Sequence, residues 1–151
     1  MNNKKASQGM TLIEVLIVMA IIGIISGLTL PNQLFYQKYR LKIYAKQLCN
    51  DLRYVRYWNI NYEEPCSLSL TPSYYRISKK NRHYKKVSLP AYYELWYDQK
   101  KATIQFTVDG APKTGGLSIT MVDTKIKQSM VITIIPASGK VSLKDEFKKT
   151  P

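Results

Sequence analysis

Three residues near the start of the chain have the types and spacing to act together chemically. Gly9 and Met10 form a junction between a short stretch carrying Lys4 and Lys5 and the apolar run MTLIEVLIVMAIIGIISGLTL, which extends from Met10 to Leu30. Glu14 is the single ionisable residue of that run. A carboxylate in a membrane segment is costly and by default functional. Near a helix start it can meet a positive amino terminus and the positive end of the helix dipole. No small-x-small cleavage site follows the run, where Ser26 to Asn32 reads SGLTLPN. Processing is therefore expected before the run, on the opposite side from an ordinary signal peptide.

These residues must be positioned by a helix. As a helix the 21 residues from Met10 to Leu30 span about 31 Å, the thickness of a bilayer core. A secretory signal peptide or a plain anchor is the competing reading, and Lys4 with Lys5 would suit either. Glu14 counts against both, because neither a signal peptide nor a plain anchor gains anything from a carboxylate there. Lys38, Arg40, Lys42 and Lys46 beyond the run outnumber the two leader lysines, which by the positive-inside rule alone favours the opposite orientation.

Beyond Pro31 the helix is expected to continue to about residue 60. Leu34, Leu41, Ala45, Leu48, Leu52 and Val55 recur at helical spacing and should face the core of a head domain. The other face carries Lys38, Lys42, Lys46, Arg53 and Arg56 and is expected to be solvated. From Glu63 onward short alternating runs and turn residues take over. They predict strands over 66–70, 74–78, 93–97, 102–108, 117–122, 129–135 and 140–143, with turns at Asp109-Gly110, Gly115-Gly116 and Ser138-Gly139. The expected fold class is α+β: a long N-terminal helix, its first half membrane-spanning, packed on a small, mainly antiparallel β head. The expected organisation is a leader over 1–9, a transmembrane and assembly segment over 10–32, and the head over 33–151.

Charge is the other chemical signal. The chain carries 23 Lys and Arg against 10 Asp and Glu, a formal +13. All but Lys4, Lys5 and Glu14 lie from Gln33 onward, so the head alone is +12. Such an excess implies an acidic partner, unless the lysines merely solvate a surface. Arg76, Lys79, Lys80, Arg82, Lys85 and Lys86 fall in one stretch without an acid, interleaved with Tyr74, Tyr75 and Tyr84 and followed by Tyr92, Tyr93, Trp96 and Tyr97. Cations for phosphates and rings for bases make a surface for single-stranded nucleic acid, though tyrosines are also ordinary strand and core residues.

Catalysis finds little here. The only histidine, His83, lies in the basic stretch, and the sequence has no Cys-x-x-Cys, phosphate loop, nucleophile elbow or metal-ligand spacing. No enzyme activity, cofactor or metal is expected. Cys49 and Cys66 are too few for a disulfide framework. They could pair in an oxidising compartment, but Cys49 would lie about 14–17 Å below the helix end, which argues against a bridge.

Gly9-Met10-Thr11-Leu12-Ile13-Glu14, followed by VLIVMAIIGI, resembles the cleavage and methylation motif of type IV prepilins and type II secretion pseudopilins. The resemblance implies cutting after Gly9 by a prepilin peptidase, N-methylation of Met10, and assembly through Glu14 and Thr11. Glu14 is then the fifth mature residue and Pro31 the twenty-second, where many pilins have a helix-kinking proline. Methionine stands at the first mature position, where phenylalanine is commoner in the family. IQFTVDGAPKTGGLSITM and MVITIIPASGKVSL are similar to the head of the GspH/FimT group of minor pilins and pseudopilins. Residues 72–99 have no counterpart in that resemblance.

The function so implied is a structural subunit, of the minor kind, in a type IV pilus or a secretion or competence pseudopilus. Its implied partners are the peptidase, other pilins or pseudopilins, and the inner or cytoplasmic membrane. The chain would be single-pass before assembly, with the head on the extracytoplasmic side, and part of a surface or periplasmic filament afterwards. Some FimT-like proteins bind DNA through a Gly-Arg-x-Arg motif; here Gly139-Lys140-Val141-Ser142 keeps one cation. The expected DNA contacts, as the alternative function in uptake, are Arg76, Lys79, Lys80, Arg82, Lys85, Lys86, Lys140 and Lys144.

Overall fold

A computed structural model describes residues 11–28, 33–62 and 64–149. The chain divides into two units after Gln33. Gly9, Met10 and Pro31 lie outside the described residues, so the processing junction and the expected kink do too.

The first unit contains α1, Leu12–Leu28. Its turns are built from aliphatic residues on every side, with Glu14 in the first turn. The amides of Glu14 and Val15 donate to the Thr11 carbonyl at 3.1 and 3.2 Å, so Thr11 opens the helix. Large side chains from Leu12 to Ile25 are exposed. Among the described residues no helix is long and apolar enough to cross a membrane, α1 being 17 residues there.

Helix α2, Gln33–Asn61, belongs from Leu34 onward to the second unit, where it lies against two antiparallel sheets. The strands are β1 Cys66–Thr71, β2 Tyr74–Lys79, β3 Arg82–Ser88, β4 Tyr93–Trp96, β5 Thr103–Gln105, β6 Leu117–Asp123, β7 Gln128–Ile134, β8 Val141–Leu143 and β9 Lys148–Lys149. The four-stranded sheet runs β3-β2-β1-β5 and the other runs β4-β6-β7-β8, with β9 also paired to β7. This is the expected α+β architecture of a helix on a mainly antiparallel head.

The helical stripe packs as its spacing dictates: Leu41, Ala45, Leu48, Leu52 and Val55 are fully buried, joined by Cys49. Leu34 departs from the expectation and is 56% exposed. Opposite the stripe, alternate residues of both sheets fill one core, among them Leu68, Ile77, Ile104, Ile119, Met121 and Ile132. Cys49 and Cys66 are both buried and unbridged. The α2–β1 connection is held by Asn59, whose amide nitrogen donates to the Cys66 carbonyl at 2.7 Å and whose carbonyl accepts from the Cys66 amide at 2.9 Å.

The basic face of α2 is solvated in part: Lys46 and Arg53 are exposed as expected, while Lys38, Lys42 and Arg56 are half-buried. Arg53 donates to the Val141 carbonyl at 3.1 and 3.3 Å, and Arg56 to the carbonyls of Gly110 and Ser138 at 3.0 and 3.1 Å. Lys42 pairs with Asp145 at 2.6 Å and Lys38 stands over the Phe147 ring. The C-terminal segment thus gives these cations partners that helical periodicity alone does not reveal. Strand β3 and the short β9 fall where no strand is expected. Strand β3 reads RHYKKVS, with cations toward both faces, and a bulge between Ile77 and Ser78 breaks its pairing with β2. No clean alternation survives in such a segment.

Candidate assembly helix and basic face

Two sets of residues bear on function: Thr11 and Glu14 at the start of α1, and the cations of the head. Glu14 is the only ionisable group of α1 and is exposed, one turn into an otherwise apolar helix. Such a helix cannot rest in water, and a carboxylate on it cannot rest among apolar neighbours without a cation.

The basic stretch does not form one patch. The β2–β3 hairpin turns at Lys80-Asn81, both with positive φ (47° and 60°), a two-residue turn that sets Lys79 opposite Arg82. Lys79 then folds inward to the end of α2. Its ammonium lies 3.4 Å from the Trp58 ring centroid and 3.8 Å from that of Tyr84, and it hydrogen-bonds the Tyr54 hydroxyl. Lys85 also points inward, donating to both Asp51 oxygens at 2.7 and 2.8 Å, and Tyr75 donates to the same carboxylate at 2.6 Å. Lys80 pairs with Glu64 at 3.2 Å on the surface.

Burial and the Asp51 carboxylate hold the Tyr75 hydroxyl far above the usual tyrosine range. Burial also pushes the Cys66 thiol up to about 11, with Lys79 opposing. For Tyr54 burial again raises the pKa, while the hydrogen bond from Lys79 pulls it down. These shifts describe the packing of the hairpin on α2.

What remains outward on the four-stranded sheet is Arg76 and Lys86, which are register partners on β2 and β3. Both lie on the Tyr74 ring, Lys86 at 4.4 Å and Arg76 at 5.9 Å. Arg82 and His83 are exposed near the turn. Lys140 and Lys144 flank β8 in the other sheet, so the strand order separates them from Arg76 and Lys86. Sequence reasoning missed the residues that sort these cations. Asp51, Tyr54 and Trp58 recur on α2 at spacings of three and four, a signal of a shared face. Among the described residues no three His, Cys, Asp or Glu side chains gather as a metal site would require.

Gly139 explains the conformation of the last turn. It has a φ of +60°, its amide donates to the Ile135 carbonyl at 2.9 Å, and a Cβ there would collide with the Gly110 carbonyl. Gly110 (φ +82°) is itself held by Arg56, so two glycine turns meet at one arginine on α2.

Residues 4–30 match the family model described as the prokaryotic N-terminal methylation motif. Comparison with curated proteins finds none that match. Among solved structures the chain is similar to the type IV minor pilin FimU of Pseudomonas aeruginosa strain PAO1. In one crystal form the identity is 15%, the match covers 77% of this chain and 98% of that one, and the TM-score is 0.63. A second crystal form gives 14%, 73% and 98%, with a TM-score of 0.59. The minor pseudopilin EpsH from the type 2 secretion system of Vibrio cholerae is similar at 10% identity over 69% of this chain and 95% of that one, with a TM-score of 0.56. A prepilin-type methylation motif at the N-terminus and the pilin-like fold thus occur in one chain.

Proposed function

We propose that this chain is a structural subunit, of the minor kind, of a type IV pilus or a secretion or competence pseudopilus. It is cut after Gly9 by a prepilin peptidase, N-methylated at Met10 and assembled through its N-terminal helix, with Thr11 and Glu14 at the contact. Before assembly it is a single-pass membrane protein with the head on the extracytoplasmic side; afterwards it is part of a surface or periplasmic filament. The observation that carries this reading is the motif match over residues 4–30, which takes in a helix with no charged residue but Glu14.

The physical logic is one of solvent. Inside a bundle of such helices an α-amino cation at Met10 and a carboxylate at Glu14 are both costly unless each meets the other on a neighbouring chain. In the membrane the acid sits near the helix end, where its cost is smaller. The pair therefore favours the filament over the isolated subunit. The test is the intact mass and N-terminal sequence of the chain recovered from sheared filaments. A methylated Met10 start is expected, and a chain still starting at Met1, or cut beyond Leu30, overturns the reading.

DNA uptake through the basic head is the second reading. The +12 excess of the head supports it. Of its eight expected contacts, Lys79, Lys80 and Lys85 are engaged within the head. A nucleic-acid contact would therefore rest on Arg76, Arg82, Lys86, Lys140 and Lys144.

A further inference from the structure

The outward side of the four-stranded sheet has an unusual composition. Its rows can be read from the register. Lys86, Arg76, Ser69 and Thr103 follow one another across β3, β2, β1 and β5, and His83, Ser78, Ser67 and Gln105 make the neighbouring row. Four strands at sheet spacing make each row about 14 Å long. A third row begins with Ser88, Tyr74 and Thr71. No outward position on these four strands is acidic or aliphatic.

Two cations directly opposite on adjacent strands repel. Arg76 and Lys86 occupy such a pair, and every nearby acid that engages a cation of this hairpin, Asp51 and Glu64, is spent on Lys85 and Lys80. The pair is thus left to an external anion. Three partner classes have that charge. An acidic protein would need an apolar or aromatic interface core, which this face lacks. Single-stranded nucleic acid gains much of its affinity by stacking bases on free rings. The outward rings are Tyr74, which is taken by both cations, and the small imidazole of His83, too few for a run of stacked bases. A chain of acidic sugars needs neither. Its carboxylates suit a guanidinium and an ammonium, and its hydroxyls suit rows of Ser and Thr, of which Ser69 and Thr103 already bond each other at 3.3 Å.

We propose that the outer face of the four-stranded sheet binds an acidic polysaccharide, with Arg76 and Lys86 holding carboxylates and the Ser69–Thr103 row meeting sugar hydroxyls. This site is separate from the assembly helix and stands whether or not the chain enters a filament.

The experiment uses the full chain in detergent and three probes at about 50 mM salt, low enough to keep electrostatic affinity: a polyuronate oligosaccharide, neutral dextran, and a single-stranded DNA oligonucleotide of equal charge. The polyuronate is expected to bind, dextran not to bind, and DNA to bind more weakly than the polyuronate. The variant Arg76→Gln/Lys86→Gln should weaken polyuronate binding about tenfold or more, in line with losing two ion contacts, while Lys125→Gln, in the exposed turn after β6, leaves it unchanged. Should the double variant fail to fold, Thr103→Asp, which places an acid at the exposed end of the row, must give the same loss. Absent polyuronate binding, binding indifferent to these substitutions, or tighter binding of the DNA overturns the proposal, the last result assigning the face to nucleic acid.

Discussion

Replacing Asp51 by Ala removes one acceptor from three hydrogen bonds, two from Lys85 and one from Tyr75. The Asp51 side chain is 13% exposed and that of Lys85 is 38% exposed. Breaking a fully buried pair costs about 3–5 kcal/mol, but Lys85 can turn back to water, which lowers its share. Tyr75 cannot follow, being 1% exposed, and its stranded hydroxyl costs about 1–3 kcal/mol. The expected total is about 2–4 kcal/mol. For a head of this size each kcal/mol moves the melting temperature by about 3–6 °C, so a fall of about 10 °C is expected. Trp58 and Trp96, both in the head, report unfolding by fluorescence in the full chain held in detergent. Asp51→Ala/Lys85→Met, which leaves no ammonium seeking a partner, should recover part of the loss. A fall below about 3 °C, or no recovery in the double variant, would refute the claim that this carboxylate fixes the hairpin to α2.

Glu14→Gln should leave expression, insertion and cleavage after Gly9 intact while excluding the chain from filaments; quantifying it in sheared-surface and membrane fractions checks this, and full recovery in the filament fraction removes Glu14 as the assembly contact. Gly139→Ala should destabilise the head by at least about 2 kcal/mol, since it adds a Cβ at positive φ to a collision with the Gly110 carbonyl; urea unfolding measures it. Stability should also fall in alkali. Tyr75, Tyr93 and Cys66 all have folded pKa values raised by burial, so their contribution is intact below the unfolded values and is lost as pH rises above them, from about 8.5 for a thiol and about 10 for the tyrosines. A melting temperature unchanged between about pH 8 and pH 11 would contradict it.

The parts of this protein legible in the sequence are those governed by local pattern. The motif at Gly9-Met10 and Glu14, the apolar run, the stripe from Leu41 to Val55 and seven of the strands follow from spacing and composition, because helical and strand periodicities express which face is buried. The fate of the cations did not follow. Arg76, Lys79, Lys80, Arg82, Lys85 and Lys86 look equivalent in a line of residues, yet the hairpin sends Lys79 to Trp58 and Tyr84, Lys85 to Asp51, and Arg76 with Lys86 to the outer face. Likewise nothing in the sequence shows that Arg53 and Arg56 donate to the carbonyls of Val141, Gly110 and Ser138. A charge is indifferent to its neighbours in sequence and depends on which dipoles and counter-charges lie within a few ångströms. Tyr54 lies 25 residues from Lys79, Asp51 34 from Lys85 and Val141 88 from Arg53, and they meet through strand pairing and helix docking that only the folded chain brings about.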